Sequence, residues 1–145
     1  MVERVLVPID GSLESWNAFD FATSQFPDST ITVIHVIGPE GIDTDVDGGY
    51  FDTKAYNRAV DHAEELCREA QQRIEDDEML ERTVLDTVIK TGDPARSIIS
   101  YASTHDIDHI VVGSRGRSGI SRLLLGSVAE TVVRRAPTPV TVVRD

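Results

Sequence analysis

Short runs rich in β-branched residues alternate with longer helical patterns along the whole chain. Five of these runs are typical of β-strands: Arg4–Pro8, Ile31–Ile37, Thr83–Lys90, Ile110–Gly113 and Val140–Val143. Four are nearly continuous apolar stretches, as parallel strands are when both faces of their sheet are covered. Thr83–Lys90 alternates apolar and polar residues instead, which predicts a strand nearer an edge of the sheet.

Four segments with helical spacing separate these strands: Ser12–Gln25, residues 52–78, residues 93–105 and Gly126–Ala136. Ser12 and Asp93 are suitable N-cap residues, and Pro94 suits the first turn of a helix. Because the connections are short, the alternation predicts right-handed βαβ crossovers and a parallel sheet, in one domain of residues 1–145. Ligands of such sheets bind beyond the carboxyl ends of the strands, where the strand order reverses.

The charge balance excludes several classes of protein. The chain has 25 Asp and Glu residues against 14 Lys and Arg, a net charge of -11, so a surface that coats nucleic acid is not expected. Cys67 is the sole cysteine, which excludes an internal disulfide and a zinc site built from cysteines. No signal peptide is indicated at the start, and no apolar stretch approaches the roughly 20 residues that cross a bilayer. We expect a cytoplasmic protein without a membrane partner.

The segment that best suits ligand chemistry is Gly113-Ser-Arg-Gly116, followed after nine residues by Gly126-Ser127. We expect the missing Cβ atoms of Gly113 and Gly116 to permit positive φ angles and the close approach of a ligand. Gly126-Ser127 opens a helix, whose free N–H groups favour phosphate. Arg115, Arg117 and Arg122 lie here, and no acidic residue occurs between Ile110 and Ala129. From spacing alone, a phosphate site and a plain turn followed by a helix cap remain equal alternatives.

These residues, in this order, resemble the nucleotide-binding motif of the ATP-binding branch of the universal stress protein family. The resemblance extends over nearly the whole chain: Val5–Ser12, Ile34–Val36, Gly92–Pro94, Asp108–Gly113, Arg117–Ala129 and Pro139-Val140 are similar to the family's pattern. His109 departs from it, because the family usually has an apolar residue there. The alternation and the resemblance together predict a three-layer α/β sandwich, Rossmann-like and of the adenine nucleotide alpha hydrolase type. Its five parallel strands are expected in the order 3-2-1-4-5.

The resemblance implies ATP as the ligand, with Mg²⁺ or Mn²⁺ bridging its phosphates. The residues that it implies in binding are Pro8, Ile9, Asp10, Val36, Gly113, Arg115, Gly116, Gly126, Ser127 and Val128. Asp10 would accept hydrogen bonds from the ribose, and the Val36 backbone would pair with adenine. Gly113 would lie against the ribose, and the backbone N–H groups of Gly116, Gly126, Ser127 and Val128 would meet the phosphates. The alternative for Asp10 is a helix-cap partner beside Ser12.

The resemblance also implies a role as a nucleotide-dependent sensor or adaptor in the stress response, and a homodimer formed through Val140–Val143. Two alternatives remain open. One is slow ATP hydrolysis or phosphoryl or adenylyl transfer, although the sequence offers no convincing general base and no P-loop lysine. The other is a dimeric interaction module that binds no nucleotide.

Three other features receive structural interpretations. Asp43–Gly48 begins like a calcium loop, but Lys54 occupies the twelfth position, so we expect a solvated acidic loop; whether Gly38–Asp52 forms a lid stays open. His35 and His109 are expected to be structural, His62 lies off the apolar stripe of its helix, and Cys67 is expected in the core. The low pI of about 4.7 and the excess of Arg over Lys suggest adaptation to high salt.

Overall fold

The computed structural model describes residues 2–39, 44–45, 50–51, 53–114 and 125–144. The strands are β1 (Arg4–Pro8), β2 (Thr30–Ile37), β3 (Thr44–Asp45), β4 (Tyr50–Phe51), β5 (Val84–Thr91), β6 (His109–Gly113) and β7 (Val140–Val143). The helices are α1 (Leu13–Gln25), α2 (Thr53–Glu75), α3 (Pro94–Thr104) and α4 (Ser127–Arg135), with a 3₁₀ turn at Glu78–Leu80.

Five strands form one sheet in the order β5-β2-β1-β6-β7, and every neighbouring pair is parallel. This is the predicted order 3-2-1-4-5, with the first strand at the centre. The strands β3 and β4 form a separate antiparallel pair outside this sheet. The predicted α/β sandwich with a parallel sheet is therefore confirmed.

Side chains alternate between the two faces of the sheet and form two apolar clusters. Val5, Val7 and Val33 face α1 and α2, where they pack against Phe19 and Ala70. On the other face, Leu6, Ile34 and Ile110 pack against residues of α3 and α4, including Ile98 and Val132. The sheet thus forms the middle layer, with two helices on each side.

The two outer strands of the sheet are β5 and β7. The position of β5 confirms the edge placement that the alternation of Thr83–Lys90 predicted. Its side chains are more exposed than those of β1, β2 and β6, and Val84 is 55% exposed. All four residues of β7 are half-buried.

The helix α2 differs most from its predicted bounds, whereas the other three differ only by a residue at their ends. The expectation for α2 was residues 52–78, but it begins at Thr53 and ends at Glu75. The Asp77 side chain accepts a hydrogen bond from the Met79 N–H at 3.0 Å, which starts the 3₁₀ turn instead. Cys67 on α2 is half-buried rather than fully buried, and this burial raises the pKa of its thiol.

The amino end of the sheet is tied together by side-chain hydrogen bonds. The Ser29 hydroxyl donates to the Val2 carbonyl at 2.8 Å, and the Thr83 hydroxyl donates to the Pro27 carbonyl at 2.7 Å. The Asp108 carboxylate accepts the N–H groups of Glu3 and Arg4, each at 2.9 Å, and these bonds lower its pKa. Loops at this end are therefore joined to neighbouring strands through satisfied polar groups.

Candidate functional site

A cavity of about 600 Å³ opens at the carboxyl end of the sheet, within the usual size range of small-molecule sites. It lies where the strand order reverses, at β1, whose neighbours in the sheet are β2 and β6. Helices from both faces of the sheet reach it, because α2, α3 and α4 each contribute residues to its wall. This is the place where a doubly wound sheet binds its ligand.

The structure brings eight of the ten predicted binding residues to this cavity. They are Pro8, Ile9, Asp10, Val36, Gly113, Gly126, Ser127 and Val128. The other two, Arg115 and Gly116, lie outside the described residues, as do Arg117 and Arg122. The same holds for most of the acidic segment Gly38–Asp52, so its interpretation as a solvated loop or a lid stays a prediction.

The turn after β1 places Asp10 in the wall of the cavity. Gly11 has φ +88°, a conformation that L side chains rarely adopt, and it allows the chain to turn sharply into α1. The Asp10 Oδ1 atom accepts the Ser12 N–H at 2.9 Å, and the Ser12 hydroxyl caps α1 by accepting the Ser15 N–H at 3.1 Å. Asp10 thus takes part in the helix-cap arrangement and also lines the cavity, so the two interpretations of this residue are compatible.

The backbone of Val36 faces the open side of β2. The Ile34 carbonyl accepts the Ile9 N–H at 2.9 Å on the β1 side, and the Ile37 carbonyl accepts the Gly92 N–H at 3.0 Å on the opposite side. Because backbone groups alternate along a strand, the N–H and C=O of Val36 point to the same side as those of Ile34. The pairing of β1 with β2 ends at Pro8 and Ile34, so Val36 lies beyond it. A ligand in the cavity can therefore meet one donor and one acceptor there.

Gly113 is required for a reason that the sequence did not indicate. Positive φ angles among the described glycines occur at Gly11 and Gly92, so Gly113 does not use the positive φ that its missing Cβ atom permits. A Cβ atom on Gly113 would lie 2.7 Å from the Glu14 carbonyl oxygen, because the first turn of α1 packs directly on the end of β6. The missing side chain permits close packing of a helix against a strand, at the position where both border the cavity.

The amino end of α4 opens into the same cavity. Gly126 is the N-cap residue, with φ −64° and ψ 158°, and its N–H donates to the Ser114 carbonyl at 2.7 Å. This bond differs from the expectation that the Gly126 N–H faces phosphate. The first intrahelical bond of this end runs from the Glu130 N–H to the Gly126 carbonyl, so the N–H groups of Ser127 and Val128 have no intrahelical acceptor. These two groups and the Ser127 hydroxyl are placed for an anion.

Several lining residues were not predicted to be near the site, above all His35 and His62. His35 is structural, as expected, because its Nδ1–H donates to the Ile9 carbonyl at 2.8 Å, yet its ring also lines the cavity. His62 lies off the apolar stripe of α2, and that direction brings it to the cavity beside Ala59. The odd-numbered residues of β2 face α2. The alternation along β2 could therefore have placed the His35 side chain on the α2 side of the sheet. Pro94 and Ile98 close the α3 side.

His109, which departs from the family pattern, lies away from the cavity. Its Nε2 is 2.7 Å from the Thr141 hydroxyl on β7, and its ring lies against Phe26 with centroids 5.4 Å apart. Burial lowers the pKa of His109 because the charged imidazolium would lose hydration. The structural interpretation of His109 is confirmed.

Two features are absent from the described residues. Within them no cluster of three His, Cys, Asp or Glu side chains is arranged to hold a metal ion. None of the helices in the same ranges is long and apolar enough to span a bilayer.

Comparison with known proteins agrees with this fold. The sequence model of the universal stress protein family matches residues 1–144. A universal stress protein of Bacillus subtilis, YxiE, is 30% identical over 151 aligned positions that cover 99% of this chain and all of the relative. The solved structure of the universal stress protein UspA from Lactobacillus plantarum has a TM-score of 0.77 at 27% identity, with 99% of this chain and 98% of that chain covered.

A further solved structure is a universal stress protein in complex with cAMP. It has a TM-score of 0.71 at 25% identity, and the match covers 99% of this chain and 97% of that one. The family match extends over almost the entire sequence, and the relative from Bacillus is matched over its full length. This chain belongs to the universal stress protein family.

Proposed function

We propose that the cavity binds an adenine nucleotide, with ATP as the ligand. The observation that carries the proposal is the convergence of Val36, Asp10 and the amino end of α4 on one cavity at the reversal point of the sheet. These three groups supply one contact each for a base, a ribose and a phosphate chain. The cAMP complex of a family member supports an adenine nucleotide in a cavity of this fold.

The base is placed at Val36. Adenine has an acceptor at N1 and a donor at N6, which pair with a backbone N–H and C=O on the same strand edge. Guanine has the opposite pattern at these atoms, so the same edge would leave both backbone groups unpaired. Pro94 and Ile98 offer apolar contacts beside this edge. We therefore expect adenine to be preferred to guanine.

The ribose and the phosphates follow from the other two groups. The Asp10 carboxylate is an acceptor for ribose hydroxyls, and Gly113 also lines the wall of the cavity. The N–H groups of Ser127 and Val128 and the positive end of the α4 dipole favour the phosphates. In this proposal the phosphate oxygens hold a Mg²⁺ or Mn²⁺ ion, which compensates their negative charge and needs no set of ligands from the protein.

The protein acts in this proposal as a nucleotide-dependent sensor or adaptor in the cytoplasm, and not as a catalyst. ATP binding changes the surface around the cavity, and a partner protein recognises the changed surface. A homodimer forms through β7 in this proposal. This strand lies at the edge of the sheet and pairs with β6 on one side, so its other side is available for a second copy of the chain. Sedimentation that shows only a monomer at micromolar concentration would contradict the dimer.

The test is to release and identify the small molecules that purify with the protein by mass spectrometry, and to measure melting with added nucleotides. We expect an adenine nucleotide in the released fraction. We also expect a melting temperature that rises with ATP and Mg²⁺ and rises less with GTP, since saturation at 100 times Kd adds about 2.7 kcal/mol to stability. No released nucleotide together with no thermal shift would overturn the proposal. Rapid phosphate release would instead indicate an enzyme.

A further inference from the structure

The outer edge of β5 is long and exposed. This strand has eight residues, twice the four of β7 at the opposite edge of the sheet. In the part of the chain that the structure describes, its one paired neighbour in the sheet is β2. A long open edge presents a row of backbone N–H and C=O groups to which another strand can add. The exposed residues of this edge are Val84, Asp86, Thr87, Ile89, Lys90 and Thr91.

The backbone groups that point outward from this edge belong to the odd-numbered residues of β5. The Gly92 N–H donates to the Ile37 carbonyl at 3.0 Å, so the Gly92 backbone points toward β2. Backbone groups alternate in direction along a strand. The N–H and C=O groups of the even-numbered residues of β5 therefore also point toward β2, and those that point outward are in Leu85, Thr87, Ile89 and Thr91.

Two opposite charges lie on one face of the same edge. The exposed side chains of Asp86 and Lys90 share a face with Val88, which packs with residues of α3 and α4. They are four residues apart, about 13 Å along an extended strand, which is too far for an ion pair within one chain. Charged side chains on an edge usually discourage pairing. Because they are placed symmetrically about Val88, however, these two charges complement an identical strand that runs in the opposite direction.

An antiparallel copy of β5 centred on Val88 brings the opposite charges together. In that register, Asp86 of each copy lies directly opposite Lys90 of the other. Because the backbone groups of both residues point away from the other copy, they form the closely spaced type of pair, with Cα atoms about 4.5 Å apart. Opposite charges in such a cross-strand pair stabilise the pairing, and the two-fold axis produces the pair twice.

The same register satisfies the outward backbone groups. Odd-numbered residues lie opposite odd-numbered residues, so that Thr87 meets Ile89 and Leu85 meets Thr91 across the two copies. Each such pair exchanges two hydrogen bonds, which gives about eight for the whole edge. The Ile89 side chain is 36% exposed in the single chain, and it gains the Thr87 side chain of the other copy as a neighbour.

Other registers place like charges together or leave both charges unpaired. A two-fold axis at Asp86 sets that carboxylate opposite the same carboxylate of the other copy, and an axis at Lys90 does the same for the ammonium group. An axis at Thr87 or Ile89 leaves each charge opposite an uncharged residue. A parallel copy in register sets Asp86 beside Asp86. Like charges directly opposite each other destabilise a strand pair, so the two charges select one register of one partner.

We propose that β5 pairs with the β5 strand of a second copy of this chain, in the antiparallel register centred on Val88, and that Asp86 and Lys90 select this partner. The pairing uses the edge opposite β7, and none of the β5 residues lines the cavity, so it does not depend on nucleotide binding. Alone it joins two chains, and together with pairing through β7 it joins dimers into larger assemblies. Because the Asp–Lys pairs stay accessible to solvent, salt weakens them.

The first test is sedimentation velocity of the whole protein in about 0.1 M salt, where exposed charges are only partly screened. Asp86→Lys sets positive charges opposite each other in every pair of identical chains, and Lys90→Asp sets negative charges opposite each other. We expect each variant to pair about tenfold or more weakly than the wild type, so that its largest species contains half as many chains. A wild type no larger than either variant would overturn the proposal.

Glu65→Lys is the matched control, because it changes the net charge by the same amount as Asp86→Lys. Glu65 is exposed and lies two residues before Cys67, whose thiol interacts with Thr87 of β5. Residues two apart lie on opposite sides of a helix, so Glu65 points away from β5. We expect the wild-type size from this variant. A reduction equal to that of Asp86→Lys would attribute the effect to net charge and contradict pairing through β5.

An equimolar mixture of Asp86→Lys and Lys90→Asp tests the register itself. In a mixed pair one β5 strand carries only positive charges and the other only negative ones, so every charge meets its opposite. We expect the mixture to regain the wild-type size, and the double variant Asp86→Lys/Lys90→Asp to regain it without a partner. If neither does, the register centred on Val88 is wrong.

Amide hydrogen exchange tests the pairing in the wild type alone. We expect the N–H groups that point outward from β5 to exchange about tenfold or more slowly as the protein concentration rises, because pairing occupies them. The N–H groups of the even-numbered residues, which point toward β2, should exchange at a constant rate. Exchange of the outward groups that does not depend on concentration, in a range where sedimentation shows only the smaller species, would overturn the proposal. The outward groups to follow are those of Leu85, Thr87, Ile89 and Thr91.

Discussion

The two ends of the same sheet use polar groups in opposite ways. At the amino end, Ser29, Thr83 and Asp108 join loops to strands through hydrogen bonds of 2.7 to 2.9 Å. At the carboxyl end, the backbone of Val36 lies beyond the paired part of β1, and α4 begins with N–H groups that lack intrahelical acceptors. The amino end therefore contributes stability, whereas the carboxyl end retains polar groups that a ligand can satisfy.

Substitutions at the two ends should therefore affect different properties, stability at the amino end and ligand binding at the carboxyl end. Loss of a partner at the amino end leaves a hydrogen-bonding group unpaired in the folded protein. A change at the amino end of α4 can remove ligand binding while the fold is unharmed, or even stabilised, because the first N–H groups of that helix have no intrahelical acceptors. Stability and nucleotide affinity measured on the same protein separate the contributions of the two ends.

The largest effect is expected from Gly126→Asp. Aspartate is a preferred N-cap residue, and Gly126 already has the extended conformation of an N-cap, so we expect unchanged or slightly higher stability. The carboxylate would lie at the proposed phosphate position, and its repulsion should weaken ATP binding by about a hundredfold or more. Calorimetry and thermal melting measure the two quantities.

Gly126→Asn is the matched control, because it has the same shape and also caps helices but carries no charge. We expect it to retain most of the affinity that Gly126→Asp loses. If both variants bind ATP as the wild type does, the phosphates do not lie at the amino end of α4.

Gly113→Ala is expected to affect stability and binding together. The new Cβ would meet the Glu14 carbonyl oxygen at 2.7 Å, so α1 must shift away from β6. Overpacking of this kind costs about 1–3 kcal/mol in the free energy of unfolding. Chemical denaturation measures the loss, and the displaced Asp10 turn should also weaken ATP binding.

Ser114→Ala is the control for this position, because Ser114 is the next buried residue and already has a Cβ atom. A small loss of stability is expected from it. Wild-type stability in Gly113→Ala would show that the contact between α1 and β6 is looser than described.

Most of the fold and much of the cavity could be predicted from the sequence, because both depend on patterns that short segments carry. The apolar runs indicated the strands, and the spaced glycines together with the family resemblance indicated the ends of β6 and α4. His35 and His62 could not be placed, since their meeting depends on how α2 packs across β2. The contact of Gly113 with Glu14 was missed for the same reason: it joins two segments that are distant in the chain.

Salt should stabilise the whole molecule. A net charge of -11 implies mutual repulsion among carboxylates, and the screening length shrinks to about 3 Å at molar salt. We expect the melting temperature to rise from 0.1 M to molar KCl, while ATP affinity falls because the same ions screen the phosphates. A melting temperature that is unchanged or lower in molar KCl would contradict adaptation to high salt.

The smallest expected effect is a pH dependence of the folding stability that arises from His109. Burial lowers the pKa of His109 in the folded protein, so the unfolded chain binds the proton more readily. The stability that the neutral ring contributes is present above the unfolded value near ~6.5 and is lost as the pH falls below it. In His109→Asn we expect the melting temperature to fall less between pH 7.5 and 5.5 than in the wild type.

His105→Gln serves as the surface control for this measurement and should keep the wild-type pH dependence. ATP affinity in His109→Asn should equal that of the wild type, because His109 does not line the cavity. An unchanged pH slope in His109→Asn would show that the burial of this ring does not affect its protonation.

The most direct measurement is an NMR titration of the ¹⁵N-labelled protein with ATP and Mg²⁺, read residue by residue. We predict saturable shifts that are largest at the amides of Val36, Gly113, Ser127 and Val128, with little change at Glu3, Arg4 and Ser29. That pattern would place the nucleotide at the carboxyl end of the sheet. Saturable shifts centred on the amino end, or no saturable shifts at all, would contradict nucleotide binding in this cavity.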